Sequence, residues 1–119
     1  METPFFRLDE IPSFPLTSGV TGRPVFGRSA MINVVELEPG AIVSEHNHPH
    51  EQIGLVLRGM MELTIDGVTR ELHPMDGVVI PGDVVHSARG GPEGAVVVDV
   101  FQPAREDYRE RWTGQSASP

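Results

Sequence analysis

From Ala30 onward the chain alternates short apolar, β-branched runs with turns built on Gly and Pro. Met31-Ile32-Asn33-Val34-Val35-Glu36-Leu37 stops at Pro39-Gly40, a turn pair. Ile53 to Leu57 is an apolar run closed by Gly59. Met61-Glu62-Leu63-Thr64-Ile65-Asp66 alternates apolar and polar residues, the mark of a half-buried strand. Asp66-Gly67 supplies a type I′ hairpin turn, in which both central residues take positive φ, and Val68 to Leu72 returns. After a turn at His73 to Gly77, Val78-Val79-Ile80 runs into Pro81-Gly82-Asp83, and Val84 to Ala88 follows. Arg89-Gly90-Gly91-Pro92 reads as another turn, and Ala95 to Phe101 as the last long strand. Only Ala104 to Trp112, after Pro103, reads as helical, over one or two turns. Short strands at this spacing imply an all-β antiparallel sandwich or barrel.

Residues 1–29 lack a clear period and are rich in Pro and Gly, as in Ile11-Pro12-Ser13-Phe14-Pro15 and Gly22-Arg23-Pro24. They are expected to form an extended arm, with an edge strand or a strand exchanged with a second subunit. Phe5, Phe6 and Phe14 argue against a loose tail, because three exposed aromatics there would be costly. Residues 30–112 then form a single barrel domain, and the polar stretch 113–119 is expected to fray.

A chain of 119 residues suits one domain. Without cysteine it has neither a disulfide framework nor a thiolate metal site. No apolar run reaches the length of a membrane span, and Met1-Glu2-Thr3-Pro4 lacks the basic start of a secretory signal, so a cytoplasmic location is expected. The net charge of −8 argues against affinity for nucleic acid or anionic membranes. A small ligand is unaffected by that balance, because one local Arg can hold an anion on an acidic protein.

The histidines change the picture most. In a strand, residues two apart point the same way, so His46 and His48 would project together while Glu45 and Asn47 face away. Two imidazoles on one face chelate a divalent transition metal. Pro49 then breaks the strand, and the amide oxygen of Gln52 could return as a third ligand, with His86 bringing a fourth from a distant segment. A set of three His and one Gln is neutral, leaving the full metal charge to polarise a substrate oxygen. The competing donors are His50, expected to point outward after Pro49, Glu51, which would reach inward only if the turn shifted by one residue, and His73, expected to be solvated in its turn.

The stretch Gly40 to Gly59, with His46-x-His48 and Gln52, resembles the first motif of the cupins, and Pro81-Gly82-Asp83-Val84-Val85-His86 resembles the second. The likeness covers about residues 30–102. It implies an antiparallel β-barrel of the jelly-roll type and one divalent metal per chain on His46, His48, Gln52 and His86. Zn, Ni, Fe, Co, Mn and Cu all suit such donors. A homodimer is also implied by the resemblance. Three positions depart from the family pattern: Gln52 stands where many cupins have Glu, Asp83 where Gly is usual, and Gly90 where Asn is usual.

On the last strand Val96, Val98 and Val100 share one face, and Val97, Asp99 and Phe101 the other. An Asp within an apolar strand is expensive to bury unless paired or used. Two readings stay open. Asp99 and Arg105 form an ion pair that pins the C-terminal turn, or they act on a substrate. In the second reading Asp99 is an acid/base group expected to stay ionised, Phe101 an apolar wall, and Arg105 a fork for a carboxylate. The pattern Asp99-x-Phe101-x-Pro103-x-Arg105, with His46 to Gln52, is similar to the pectin-degradation cupins of the KdgF type. That resemblance implies opening of 4,5-unsaturated monouronates to linear keto-uronates, with Asp99, Phe101 and Arg105 as catalytic residues. Other metal-dependent cupin enzymes (dioxygenase, lyase, polyketide cyclase) and a non-enzymatic ligand-binding cupin are the alternatives.

Overall fold

The computed structural model describes residues 3–117, and the side chains of residues 3–114. After a single 3-10 turn at Leu8–Glu10 come eight strands: β1 (Phe14–Thr17), β2 (Val20–Phe26), β3 (Met31–Leu37), β4 (Ile42–His46), β5 (Glu51–Ile65), β6 (Val68–Leu72), β7 (Gly77–Ile80) and β8 (His86–Gln102). One helix, α1 (Glu106–Ala117), ends the described chain. The fold is thus the all-β cupin barrel with a short C-terminal helix that the sequence implied. All strand pairs are antiparallel.

Two long strands organise everything. β5 has 15 residues and β8 has 17, and they pair with each other along almost their whole length. The end of β8 with the start of β5 carries β3, β2 and β1 on one side and β7 on the other. The start of β8 with the end of β5 carries β4 and β6. The two layers so formed enclose an apolar core of Val20, Val35, Leu37, Val56, Met61, Leu63, Ala95 and Val97. Both long strands bend where the sequence showed turn signals. Gly59 and Arg89-Gly90-Gly91-Pro92 lie inside continuous strands, and the pairing slips around Gly59. Gly59 has φ 74°, and a Cβ on it would collide with the Gly94 carbonyl, so only glycine serves there. A bend in a paired ribbon and a chain-reversing turn use the same residues, which is why the local pattern did not separate them.

The hairpin at Asp66-Gly67 forms as expected, with φ 48° and 81° and Ile65 facing Val68. The strand expected from Val84 begins only at His86. Asp83 takes φ 66°, a left-handed conformation that accounts for Gly being usual at this place, and its N–H donates to the His48 carbonyl at 2.7 Å. Within residues 1–29, β1 and β2 form a hairpin whose second strand pairs with β3 of the same chain. The helix starts two residues after Ala104 and runs beyond Trp112 to Ala117. Glu106 and Asp107 in its first turn favour the helix N-terminus. Of the stretch 113–119 expected to fray, residues 113–117 belong to this helix and 118–119 lie outside the described residues. Among the described residues no helix is long and apolar enough to cross a membrane.

Candidate metal centre

Period-two alternation along three neighbouring strands sets the inner face of the barrel. Met31, Asn33 and Val35 of β3 lie opposite Phe101, Asp99 and Val97 of β8, which lie opposite Gln52, Gly54 and Val56 of β5. Three successive rows result: one of Met31, Phe101 and Gln52, one of Asn33, Asp99 and Gly54, and one wholly aliphatic. Asp99 therefore faces inward with Val97 and Phe101 and lines a cavity of ≈ 290 Å³. His46, Gln52, His86, Phe101 and Arg105 line the same cavity.

The histidines reach this end by a route that differs from the one expected. β4 ends at His46, so His48 lies beyond the strand and strand periodicity does not align the pair. Two other constraints do. His46 is paired with His86, the first residue of β8. The segment holding His48 is tied to the turn before His86 by Asp83, and by the Asn47 side-chain amide donating to the Asp83 carbonyl at 3.3 Å. The imidazole centroids of His46 and His86 stand 4.2 Å apart, those of His48 and His86 5.0 Å, and those of His46 and His48 5.8 Å. One ring nitrogen from each lies within 4.8 Å of the others.

Hydrogen bonds fix which nitrogens face inward. A carbonyl only accepts, so the Nδ1 of His46 donates to Ser44 O at 2.8 Å, that of His86 to Val84 O at 2.8 Å, and that of His48 to His50 O at 3.1 Å. All three Nε2 atoms then carry free lone pairs. The Nε2 of His86 is buried without a partner. The Nε2 of His48 meets Oε1 of Gln52 at 3.1 Å, which sets two acceptors against each other unless a cation lies between them. The same Gln52 side chain favours the charged form of Asp99. Burial, reinforced by Arg105 and His86, lowers His48 to a pKa of about 4, and burial also lowers His86, so both imidazoles are neutral at physiological pH. Neutral, tautomer-locked imidazoles beside an amide oxygen suit a divalent transition metal.

Of the competing donors, Glu51 is exposed on β5 and His73 pairs with Glu71 on the surface at 3.4 Å. His50 departs from the expectation that it point outward: its ring packs on His48 and Phe101 at centroid distances of 5.4 and 6.5 Å and its Nδ1 is buried without a partner, although it does not join the cluster of His46, His48 and His86.

Arg105 does not pair with Asp99. Its Nη2 donates to Asp107 Oδ2 at 2.7 Å and its Nε to Oδ1 at 3.2 Å, while its guanidinium lies 3.8 Å from the Tyr108 ring centroid and 5.2 Å from that of Phe101. Arg105 is buried all the same, leaving Nη1 as its uncommitted end. Asp99 departs from the expectation that it stay firmly ionised. Desolvation outweighs the opposing pull of Gln52 and Arg105 and raises its pKa to about 6. Asp107 and Tyr108 were missed in the sequence, though both follow Arg105 closely. Asn33 was missed as well. Its signal was a polar residue at an inward position between Met31 and Val35, and neither polar atom of its wholly buried amide has a partner. Such a deficit costs about 1–3 kcal/mol per group.

The family model for the cupin domain matches residues 33–101. The pectin degradation protein KdgF of Dickeya dadantii is 31% identical over 106 residues, covering 87% of this chain and 96% of that protein. The structure of KdgF from Halomonas sp. superposes with a TM-score of 0.83 at 30% identity, covering 89% of this chain and 98% of that one. The dimethylsulfoniopropionate lyase DddW of Ruegeria pomeroyi is 33% identical over 75 residues, which span 63% of this chain and 49% of that protein. With its fold, its motif histidines in one cluster and this match over more than half its length, the chain belongs to the cupin domain family.

Proposed function

We propose that this protein is a metal-dependent enzyme that opens 4,5-unsaturated monouronates to linear keto-uronates. The carrying observation is that Asp99, Phe101 and Arg105, to which the resemblance to KdgF-type cupins assigns catalytic roles, line one cavity with His46, Gln52 and His86. Similarity to KdgF proteins over nearly the full chain supports the same reading.

His46, His48, Gln52 and His86 would hold the metal, which when bound supplies a Lewis acid for the oxygen where negative charge develops. Asp99 takes the proton of the anomeric hydroxyl. The ring C–O bond breaks as the C1 carbonyl forms, leaving an aldehyde and an enolate at C5. Asp99 returns the proton to C4, and the enolate becomes the ketone, so the reaction is an isomerisation with no net loss or gain of atoms. A carboxyl group with a pKa of about 6 suits both halves of this cycle, because it releases a proton nearly as readily as it takes one near neutrality. Gln52 favours the charged form of the Asp99 carboxyl. Phe101 forms the apolar wall beneath the ring, and Arg105 offers Nη1 to the substrate carboxylate while Asp107 holds the rest of its fork.

The test is incubation of metal-loaded protein with unsaturated monouronate while absorbance of the conjugated double bond is followed, with elemental analysis of the same sample. Loss of the band is expected, and an unchanged band removes the proposal. Similarity to DddW favours one second reading, elimination from a small carboxylate by the same base. Release of dimethyl sulfide from dimethylsulfoniopropionate, with no effect on the uronate, would select it.

A further inference from the structure

One polar group on the cavity wall stands apart from the others that the proposed reaction does not use, because it is wholly buried and unpartnered. Asn33 is wholly buried, lines the cavity, and has no hydrogen-bond partner for either Oδ1 or Nδ2. Its neighbour across the strand pair is Asp99, and on its other side lies Pro24, which has no N–H to offer.

The surroundings are shaped around this pair. A Cβ on Gly22 would come within 2.7 Å of Asn33 Oδ1 and 2.9 Å of Nδ2. A Cβ on Gly54 would come within 3.0 Å of Asp99 Oδ1. The strands flanking both polar side chains thus omit a side chain where one would press on them. An amide packed this closely, with every bond unmade, is unfavourable unless something brought into the cavity completes it.

The chemistry of that group follows from its neighbours. An anion would be repelled by Asp99, its neighbour across the strand pair, and a bare cation would leave the amide's donor, Nδ2, unpaired. A hydroxyl both donates and accepts, which matches a carboxamide carrying both functions. We propose that Asn33 is a ligand-contacting residue that hydrogen-bonds a ring hydroxyl of the substrate, so that the site selects hydroxylated carboxylates over their deoxy analogues. This deepens the ring-opening reading by assigning the part of the substrate that the metal, Asp99 and Arg105 leave unread.

The test uses a direct signal from the side chain. Asn33 and Asn47 are the two asparagines of the chain, so zinc-loaded protein with ¹⁵N-labelled asparagine gives two side-chain amide pairs, assigned with Asn33→Leu. D-Galacturonate should shift the Asn33 pair, whereas tetrahydropyran-2-carboxylate, the same ring and carboxylate without hydroxyls, should leave it in place. Equal shifts with both probes, or no shift with either, overturn the inference. Turnover gives the second arm. Asn33→Leu should lower kcat/KM for unsaturated monouronate about 10- to 100-fold, mainly through KM. Its Tm should equal or exceed that of the wild type, because no protein group loses a partner. Unchanged kcat/KM, or a fall in Tm that accounts for the lost activity, overturns the assignment. Absent turnover in the wild type with a galacturonate-specific shift at Asn33 removes the ring-opening reading and leaves this one standing.

Discussion

The middle and the ends of the β5–β8 ribbon are built by the same strand pairing and do opposite work. Around the bend, Val56, Met61, Leu63, Ala95 and Val97 close into an aliphatic core. At the open end the same inward positions carry Gln52, Asp99 and Phe101, with Asn33 beside them on β3. Backbone geometry is shared, so the contrast lies in the side chains alone. The aliphatic middle gains by removing apolar surface from water. The polar end forgoes part of that gain and keeps the Asn33 amide buried without partners, and His86 Nε2, brought in from the ribbon's other end, is likewise unpartnered. Stability and chemistry are thus divided along one ribbon, and substitutions should separate them.

The largest effect is expected at the histidines. His48→Ala should bring metal content far below one ion per chain and activity to background, read by elemental analysis and the uronate assay. The fold should survive, since the aliphatic middle is untouched. Next, Asp99→Ala should lower kcat by about 10²–10⁴-fold with metal content unchanged. In the wild type, kcat should fall as pH drops through about 6, and full activity at pH 4 would refute Asp99 as the base.

Asp99 also gives a stability test with a defined sign. Its folded pKa lies above the ordinary carboxylate value, so between about 4 and 6 the folded state binds more protons than the unfolded one, and its contribution to stability falls as pH rises. Asp99→Asn removes that contribution. Its Tm relative to wild type should therefore climb as pH rises from 4 to 6, and a constant difference across that range would contradict the pKa.

Smaller again is Asp107→Asn, which loosens the fork of Arg105 and should raise KM by about 3- to 10-fold with little change in kcat. The reverse case is Val56→Ala in the aliphatic middle. It should cost on the order of 2 kcal/mol in chemical denaturation while metal content and kcat/KM of the folded protein stay at wild-type values. A change in metal affinity there would show that the two regions are coupled.

Legibility in the sequence followed the range of each interaction. The strands around Met31, Met61 and Val68, the Asp66-Gly67 hairpin and the inward face of β8 depend on period-two alternation and local turn chemistry, and all could be read. Gly59 and Gly90-Gly91 were read as turns because a glycine's tolerance of positive φ does not say whether the chain reverses or a paired ribbon bends. The motif spacing pointed to His46, His48, Gln52 and His86, although the reason offered for His46 and His48, a shared strand face, differs from the one observed.

Composition and local pattern by themselves determined an all-β chain with its neutral donors concentrated in two segments, because propensity and alternation act over a few residues. Only the folded chain decided that Arg105 pairs with Asp107 rather than Asp99, that Asp99 sits where burial outweighs the nearby guanidinium, and that the Asn33 amide faces the cavity with nothing to bond. Those outcomes depend on which distant strands lie side by side and on how much water is excluded between them, quantities that long-range register sets and no local stretch of residues contains.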